Sequence, residues 1–182
     1  MKTKLFYLSI GIFILQGCAL HVGMVNPKPK LDLTGNDKSL YLVIDESVKN
    51  TFVVDKYSGV KKSKVTDWHA SLRNGFENGF KNYFTLTQDK ANNDFILKIA
   101  KAELKFIPVS INGYHPSTGL KAEIRFSAYL FDEIKRDVTI INKGVVTSDK
   151  IVRVKGQETE VVENAIEKMY QKIEKEIFDK KK

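Results

Sequence analysis

The sequence predicts an α+β domain: an antiparallel or mixed sheet of four to five strands with two helices packed on one face, in the order β-α-β-β-β-α. Three observations carry this expectation. Apolar and polar residues alternate without a break from Leu120 to Leu130. Two stretches, entered near Trp68 and Thr159, repeat their apolar residues at helical spacing. The apolar run over residues 39–46 is too short for a helix. A chain of 182 residues with 42% hydrophobic and 29% charged content suits one folded domain and excludes wholesale disorder.

Residues 39–46 (SLYLVIDE) read as a buried strand, and Thr51 to Asp55 as a second short one. The polar, basic stretch 55–67 (DKYSGVKKSKVTD) reads as an exposed loop. Thr66 or Asp67 then stands where a helix cap belongs. Trp68, Leu72, Phe76 and Phe80 follow at intervals of four, closed by Tyr83 and Phe84. Gly75 and Gly79 lie beside that stripe, although each costs about 1 kcal/mol relative to alanine in a helix interior. Arg73, Glu77 and Lys81 rule out a membrane-spanning role for a G-x-x-x-G pair, so close packing onto a sheet or another helix is expected.

Phe95, Leu97 and Ile99 alternate, and the face then shifts to Ala102, Leu104 and Phe106. One extra residue near Ala100 or Lys101 restores the register, which predicts a β-bulge. Residues 110–119 (SINGYHPSTG) form a hairpin loop. In the strand beyond it Leu120, Ala122, Ile124, Phe126, Ala128 and Leu130 face one way, and Lys121, Glu123, Arg125, Ser127 and Tyr129 the other. Residues 138–154 supply more strand, either one bent strand or a small hairpin. Thr159 is expected to cap a last helix with Val162, Ile166, Met169, Ile173 and Ile177 on its buried side.

The first residues have a different character. Lys2 and Lys4 precede an apolar stretch from Leu5 to Leu15, then Gly17 and the only cysteine, Cys18. Eleven residues in a helix span about 17 Å, short of a bilayer core of about 30 Å, so a secretory signal is the better reading. Leu15-Gln16-Gly17-Cys18 resembles the lipobox of bacterial lipoproteins, with Gln16 a less usual choice at its position. The resemblance implies cleavage between Gly17 and Cys18, covalent diacylglycerol on the Cys18 thiol and a fatty acyl chain such as palmitate on its amine. It further implies, through Ala19 in place of an acidic residue, an outer-membrane and periplasm-facing location. Residues 1–17 are then the signal peptide, 18–38 the lipidated N-terminus and a tether, and 39–182 the domain. Pro27 and Pro29 favour extended backbone in the tether. Its second half either stays free or docks through Leu31 and Leu33.

The lipobox, the helix ending NYFTLTQD, the strands DFILKIAKAEL and LKAEIRFSAYLFD, and the C-terminal helix together resemble the YajG-like lipoproteins of Gram-negative bacteria. Similar layouts occur in accessory subunits of lipid transporters. The resemblance supplies no catalytic residues.

Chemistry is sparse. His21, His69 and His115 are far apart in sequence, no paired cysteine exists, and no metal site is expected. G-x-S-x-G is absent, and GYHPSTG lacks the G-K-[ST] ending of a phosphate loop. Asp45-Glu46 and Asp132-Glu133 are neighbours on strands, so they point apart and read as polar edge. The net charge of +8 falls to about +6 without Lys2 and Lys4 and is scattered, which suits a solvated surface or attraction to anionic lipid or glycan, with no nucleic acid expected. A candidate interaction surface remains: Tyr114 and His115 in the hairpin loop, extended by the outward Lys121, Arg125 and Tyr129. The expectation is a non-catalytic, cofactor-free envelope lipoprotein that holds a partner-binding domain at the membrane for envelope assembly or transport. The alternative is a lipid- or glycan-binding accessory module of an envelope transporter.

Overall fold

The alternating residues build the centre of a mixed sheet. The computed structural model describes residues 20–35, 37–57, 61–91, 93–109, 119–152 and 156–178. In chain order the strands are β1 (Leu20–Val22), β2 (Ser39–Ile44), β3 (Phe52–Tyr57), β4 (Lys61–Val65), β5 (Thr85–Leu86), β6 (Phe95–Val109), β7 (Gly119–Asp132) and β8 (Asp137–Thr147). The helices are α1 (Trp68–Phe80) and α2 (Glu158–Ile173), and α2 runs on into a π-helical turn at Glu174–Phe178. Five strands form the main sheet in the order β5-β2-β6-β7-β8. β6, β7 and β8 are antiparallel, whereas β2 runs parallel to β6 and β5 parallel to β2. The fold is α+β with a mixed sheet, as the sequence indicates.

The expected bulge is present: the β6–β7 register shifts between Ile99 and Lys101. It keeps Leu97, Ile99, Ala102, Leu104 and Phe106 on one buried face. The open question over residues 138–154 also resolves. One strand runs through Thr147 with a register shift opposite Phe126 and Ala128, and Val152 adds an isolated bridge to Leu120. Gly144 lies where any side chain would strike the Phe126 ring.

A second, three-stranded sheet in the order β1-β4-β3 joins the fold. Much of the stretch read as a loop is therefore strand. Ser63 and Val65 turn inward while Lys62 and Lys64 turn out. The pattern is too polar to be read as a strand until β1 supplies a parallel neighbour, pairing Leu20 with Ser63 and Val22 with Val65.

That neighbour comes from the segment expected to be a tether. The structure selects docking, and docking begins earlier than Leu31. Val22, Val25, Pro27, Pro29 and Leu31 are all buried. Their backbone is held by helix side chains. Glu163 and Glu167 accept from the N–H groups of Asn26 and Lys28 at 3.1 and 3.0 Å, and Asn74 and Asn78 donate to the carbonyls of Val25 and Pro27. Tyr83 closes the strap with a 2.6 Å bond to the Leu31 carbonyl. Alternating buried and exposed residues over 24–31 make this an extended strap along both helices, and the folded part reaches back to Leu20.

Both helices cover the same face of the main sheet, and their entry points differ from expectation. Asp67 is the N-cap residue of α1 but is left-handed (φ 56°) and makes no side-chain cap. Asn50 does the capping instead, through its carbonyl to the Trp68 N–H and its side chain to the His69 N–H. α2 starts at Glu158 with Gln157 as its cap, so Thr159 lies inside the first turn, and Glu158 reaches back to the Gly156 N–H. The α1 stripe of Trp68, Leu72, Phe76 and Phe80 is buried as its spacing predicts. The glycines lie at the closest approach. A β-carbon on Gly75 would sit 2.8 Å from the Tyr170 ring and 2.9 Å from Ile166, and one on Gly79 2.8 Å from Pro29. Tyr170 is fully buried and donates from its hydroxyl to the Leu72 carbonyl at 2.7 Å.

Gly75→Leu is expected to prevent native packing, and Gly75→Ala to destabilise by about 1–3 kcal/mol despite the gain in helix propensity. Tyr170→Phe should cost about 1 kcal/mol. Urea denaturation monitored by circular dichroism measures all three, and an unchanged midpoint for Gly75→Ala would show that the helices separate at no cost.

Candidate functional site

Among the described residues, helices cover one face of the main sheet only, and the β-strand period places every second residue on the other. Cross-strand register assembles that open face into rows. Tyr41, Ile96, Phe131 and Val138 lie side by side across β2, β6, β7 and β8. Val43, Lys98, Tyr129 and Ile140 form the adjacent row. Seven of these eight residues are apolar or aromatic. Tyr129 and Phe131 stack with centroids 6.5 Å apart. Ile96 is only 8% exposed beneath this cover, while Val138 and Ile140 remain 42% and 48% exposed. Nothing among the described residues covers the outer side of β8 there, which leaves a contiguous apolar patch with an aromatic centre.

Lys98 is the exception in the patch, and its charge is answered locally. It bonds Asp45 at 2.7 Å, and together with the Ser47 N–H it holds the Asp45 carboxyl well below the usual carboxylate range. The far half of the same face is charged. Lys101 pairs with Glu103 at 3.1 Å, and Arg125 with Glu123 at 2.8 Å. Its rows run Glu103–Arg125–Val145 and Lys105–Glu123–Thr147.

The structure places Lys121, Arg125 and Tyr129 on this open face, as their alternation requires, but does not gather them. Eight residue steps along the strand separate Lys121 from Tyr129, about 26 Å. Tyr129 belongs to the apolar patch, Arg125 to the charged half, and Lys121 to the end beyond it. Tyr114 and His115 lie outside the described residues, as do Gly17 and Cys18. The patch residues not singled out from sequence are Tyr41, Val43, Ile96, Phe131, Val138 and Ile140. One signal was present: Phe95, Ile96 and Leu97 are consecutive and apolar, so a strand must turn one of them outward.

Several of the polar side chains among the described residues have structural partners. His69 Nε2 meets the Val48 carbonyl at 2.5 Å, and His21 the Thr66 hydroxyl at 2.9 Å. Asp132, read as polar edge, is instead buried, and its carboxylate accepts the Lys135 N–H in the β7–β8 turn. Asp94 accepts from both the N–H and the hydroxyl of Ser39, and these bonds hold its carboxyl below the usual value. No three His, Cys, Asp or Glu side chains among the described residues are grouped to hold a metal ion. No helix among them is long and apolar enough to cross a membrane.

A groove of about 610 Å³ opens between the small sheet and β6. Val48, Phe52, Ala102 and Leu104 supply apolar lining, Lys49 and Lys105 supply positive charge, and Lys101 lines the groove beside its partner Glu103. The indole of Trp68 donates to the Ala102 carbonyl at its base and packs edge-on against Phe52.

No family model matches the sequence, and no curated protein matches it. Solved structures share the fold. One is a Xanthomonas campestris protein of the DUF330 family, with 11% identity and a TM-score of 0.53 over 88% of this chain and 97% of that one. Another is the uncharacterized lipoprotein B of Nitrosomonas europaea, with 11% identity and a TM-score of 0.51 over 83% of this chain and 92% of that one. At this identity the likeness establishes the fold alone.

The Ser39 bonds give Asp94 a pH signature. Its folded-state pKa lies below the ordinary 3.8, so its stabilisation is fully present above that value and is lost as pH falls through the folded one. Asp94→Asn should lower stability at neutral pH and flatten the loss of stability below pH about 4. Denaturation midpoints between pH 2 and 7 check it, and parallel curves for the two proteins would contradict the assignment.

Proposed function

We propose that this chain is a non-catalytic, lipid-anchored protein of the bacterial cell envelope, and that its domain binds a protein partner through the open face of the main sheet. The apolar patch of Tyr41, Val43, Ile96, Tyr129, Phe131, Val138 and Ile140 carries this reading. Half-buried aromatic side chains around a buried Ile96, rimmed by paired charges, are the composition of a protein-docking surface rather than of a solvated sheet face. The lipobox-like Leu15-Gln16-Gly17-Cys18 supports the anchor, and a protein of the same fold is named a lipoprotein. Acylation of Cys18 supplies the membrane attachment, since two or more chains hold where one binds only marginally. Ala19 favours the outer membrane, with the domain in the periplasm. Anchoring confines the domain to a surface and raises its effective concentration beside partners in envelope assembly or transport.

The groove beside β6 favours a second reading, a lipid- or glycan-binding accessory module of an envelope transporter. Its apolar lining and lysine rim suit an amphiphile with an anionic head.

A photo-crosslinking residue at position 140, compared with one at position 101 in the charged half, separates the two in intact cells. A protein adduct formed at 140, absent at 101 and lost in Tyr129→Ser/Phe131→Ser, is the expected result. Adducts with lipid alone, and from residues 49 or 105 rather than 140, would replace the first reading with the second. For the anchor, Cys18→Ser should abolish metabolic fatty-acid labelling and leave the chain unprocessed. Full labelling of that variant would remove Cys18 as the site.

A further inference from the structure

The outer face of the small sheet is neither part of the apolar patch nor covered by a helix among the described residues. Register places His21, Lys64 and Val53 side by side across β1, β4 and β3, with Lys62 opposite Asp55 in the neighbouring row. All five are exposed, whereas Val22, Val54, Ser63 and Val65 on the other side are buried. Val53 is 60% exposed, and so is Met24, just beyond β1. Lys62 and Lys64 take part in no ion pair among the described residues.

Resting on the proposal that Cys18 carries the acyl anchor, we infer that this face is the membrane-facing surface of the domain and that anionic lipid headgroups are its ligand. Cys18 is only two residues before Leu20, the first residue of β1. Two residues span at most about 7 Å. The strap that follows is bonded to α1 and α2, so no flexible length remains to lift the domain off the bilayer. The surface next to β1 therefore meets the headgroups. What it offers them is what an interface takes up: lysines that close no ion pair among the described residues, Lys64 with no acid opposite it in β1 or β3, for lipid phosphates, and isolated exposed aliphatic side chains for the headgroup–acyl boundary. The inference also assigns a use to the Lys-Ser-Lys run of β4, whose alternation aims both lysines outward.

The acylated full chain, reconstituted in vesicles of phosphatidylcholine with or without 30% phosphatidylglycerol, tests this. Because the Cys18 thiol is consumed in the thioether, a cysteine introduced at Val53 or at Ile140 can be labelled alone with an environment-sensitive fluorophore. The label at 53 should be quenched by lipids carrying a headgroup quencher, and the label at 140 should be quenched at least several-fold less. Adding phosphatidylglycerol should increase quenching at 53, and Lys62→Glu/Lys64→Glu should remove that increase, since each lysine near an anionic surface changes partitioning about five-fold. Equal quenching at 53 and 140, or stronger quenching at 140, overturns the orientation while leaving the anchor intact. A mass spectrum of the mature chain without acyl additions overturns the anchor and the orientation together.

Discussion

The close approach of α1 to α2 is the constraint on which the rest of the molecule depends. Two glycines in one helix are costly, and the structure shows what offsets them. Gly75 lets the Tyr170 ring and Ile166 reach the α1 backbone, and Gly79 gives Pro29 and Leu31 the same access. Tyr170 can then deliver its hydroxyl to the Leu72 carbonyl in a fully buried site. The rings of Phe80, Tyr170, Phe84 and Phe178 pack around that point at centroid distances from 5.4 to 6.1 Å. Helix, helix and strap are thus held at one joint. The prolines belong to it as well, since a residue without an N–H can be pressed against a helix without losing a hydrogen bond.

Much of this architecture was legible because it is local. The alternation of Leu120 to Leu130, the slip at Ala100 and the four-residue spacing from Trp68 need no knowledge of distant partners. The small sheet was not legible for the opposite reason. A strand as short as Leu20–Val22 has no period to detect, and Lys-Ser-Lys-Val acquires a buried side only when it pairs with residues more than forty positions away. Helix capping failed in the same way: Asn50, in a loop before β3, serves the start of α1 in place of the adjacent Thr66 or Asp67. The open face of the main sheet was half visible. Tyr129 stood out from its own strand, but the rows that make a patch come from the register of four strands, which no single stretch encodes.

Many polar side chains among the described residues serve the architecture of the fold. Carboxylates that might have faced each other across a cleft are engaged in turns, strand ends and the strap: Asp45 with Lys98, Asp94 with Ser39, Asp132 with Lys135, and Glu163 and Glu167 with the backbone of Asn26 and Lys28. The domain presents an apolar sheet face with paired charges beside it, a groove with a cationic rim, and a small basic sheet near its N-terminal end.

The parallel pairing of β1 with β4 has a mechanical consequence. A pull on the chain from its N-terminal side, directed along β1, does not peel hydrogen bonds open one at a time. It loads the pairs from Leu20 to Val22 together in shear, like a lap joint, and passes the tension into β4 and the start of α1. Behind that joint the strap is fastened to two helices, so slack cannot be drawn out of the domain without undoing the packing around Gly79. The N-terminal side is therefore the stiff end of the molecule.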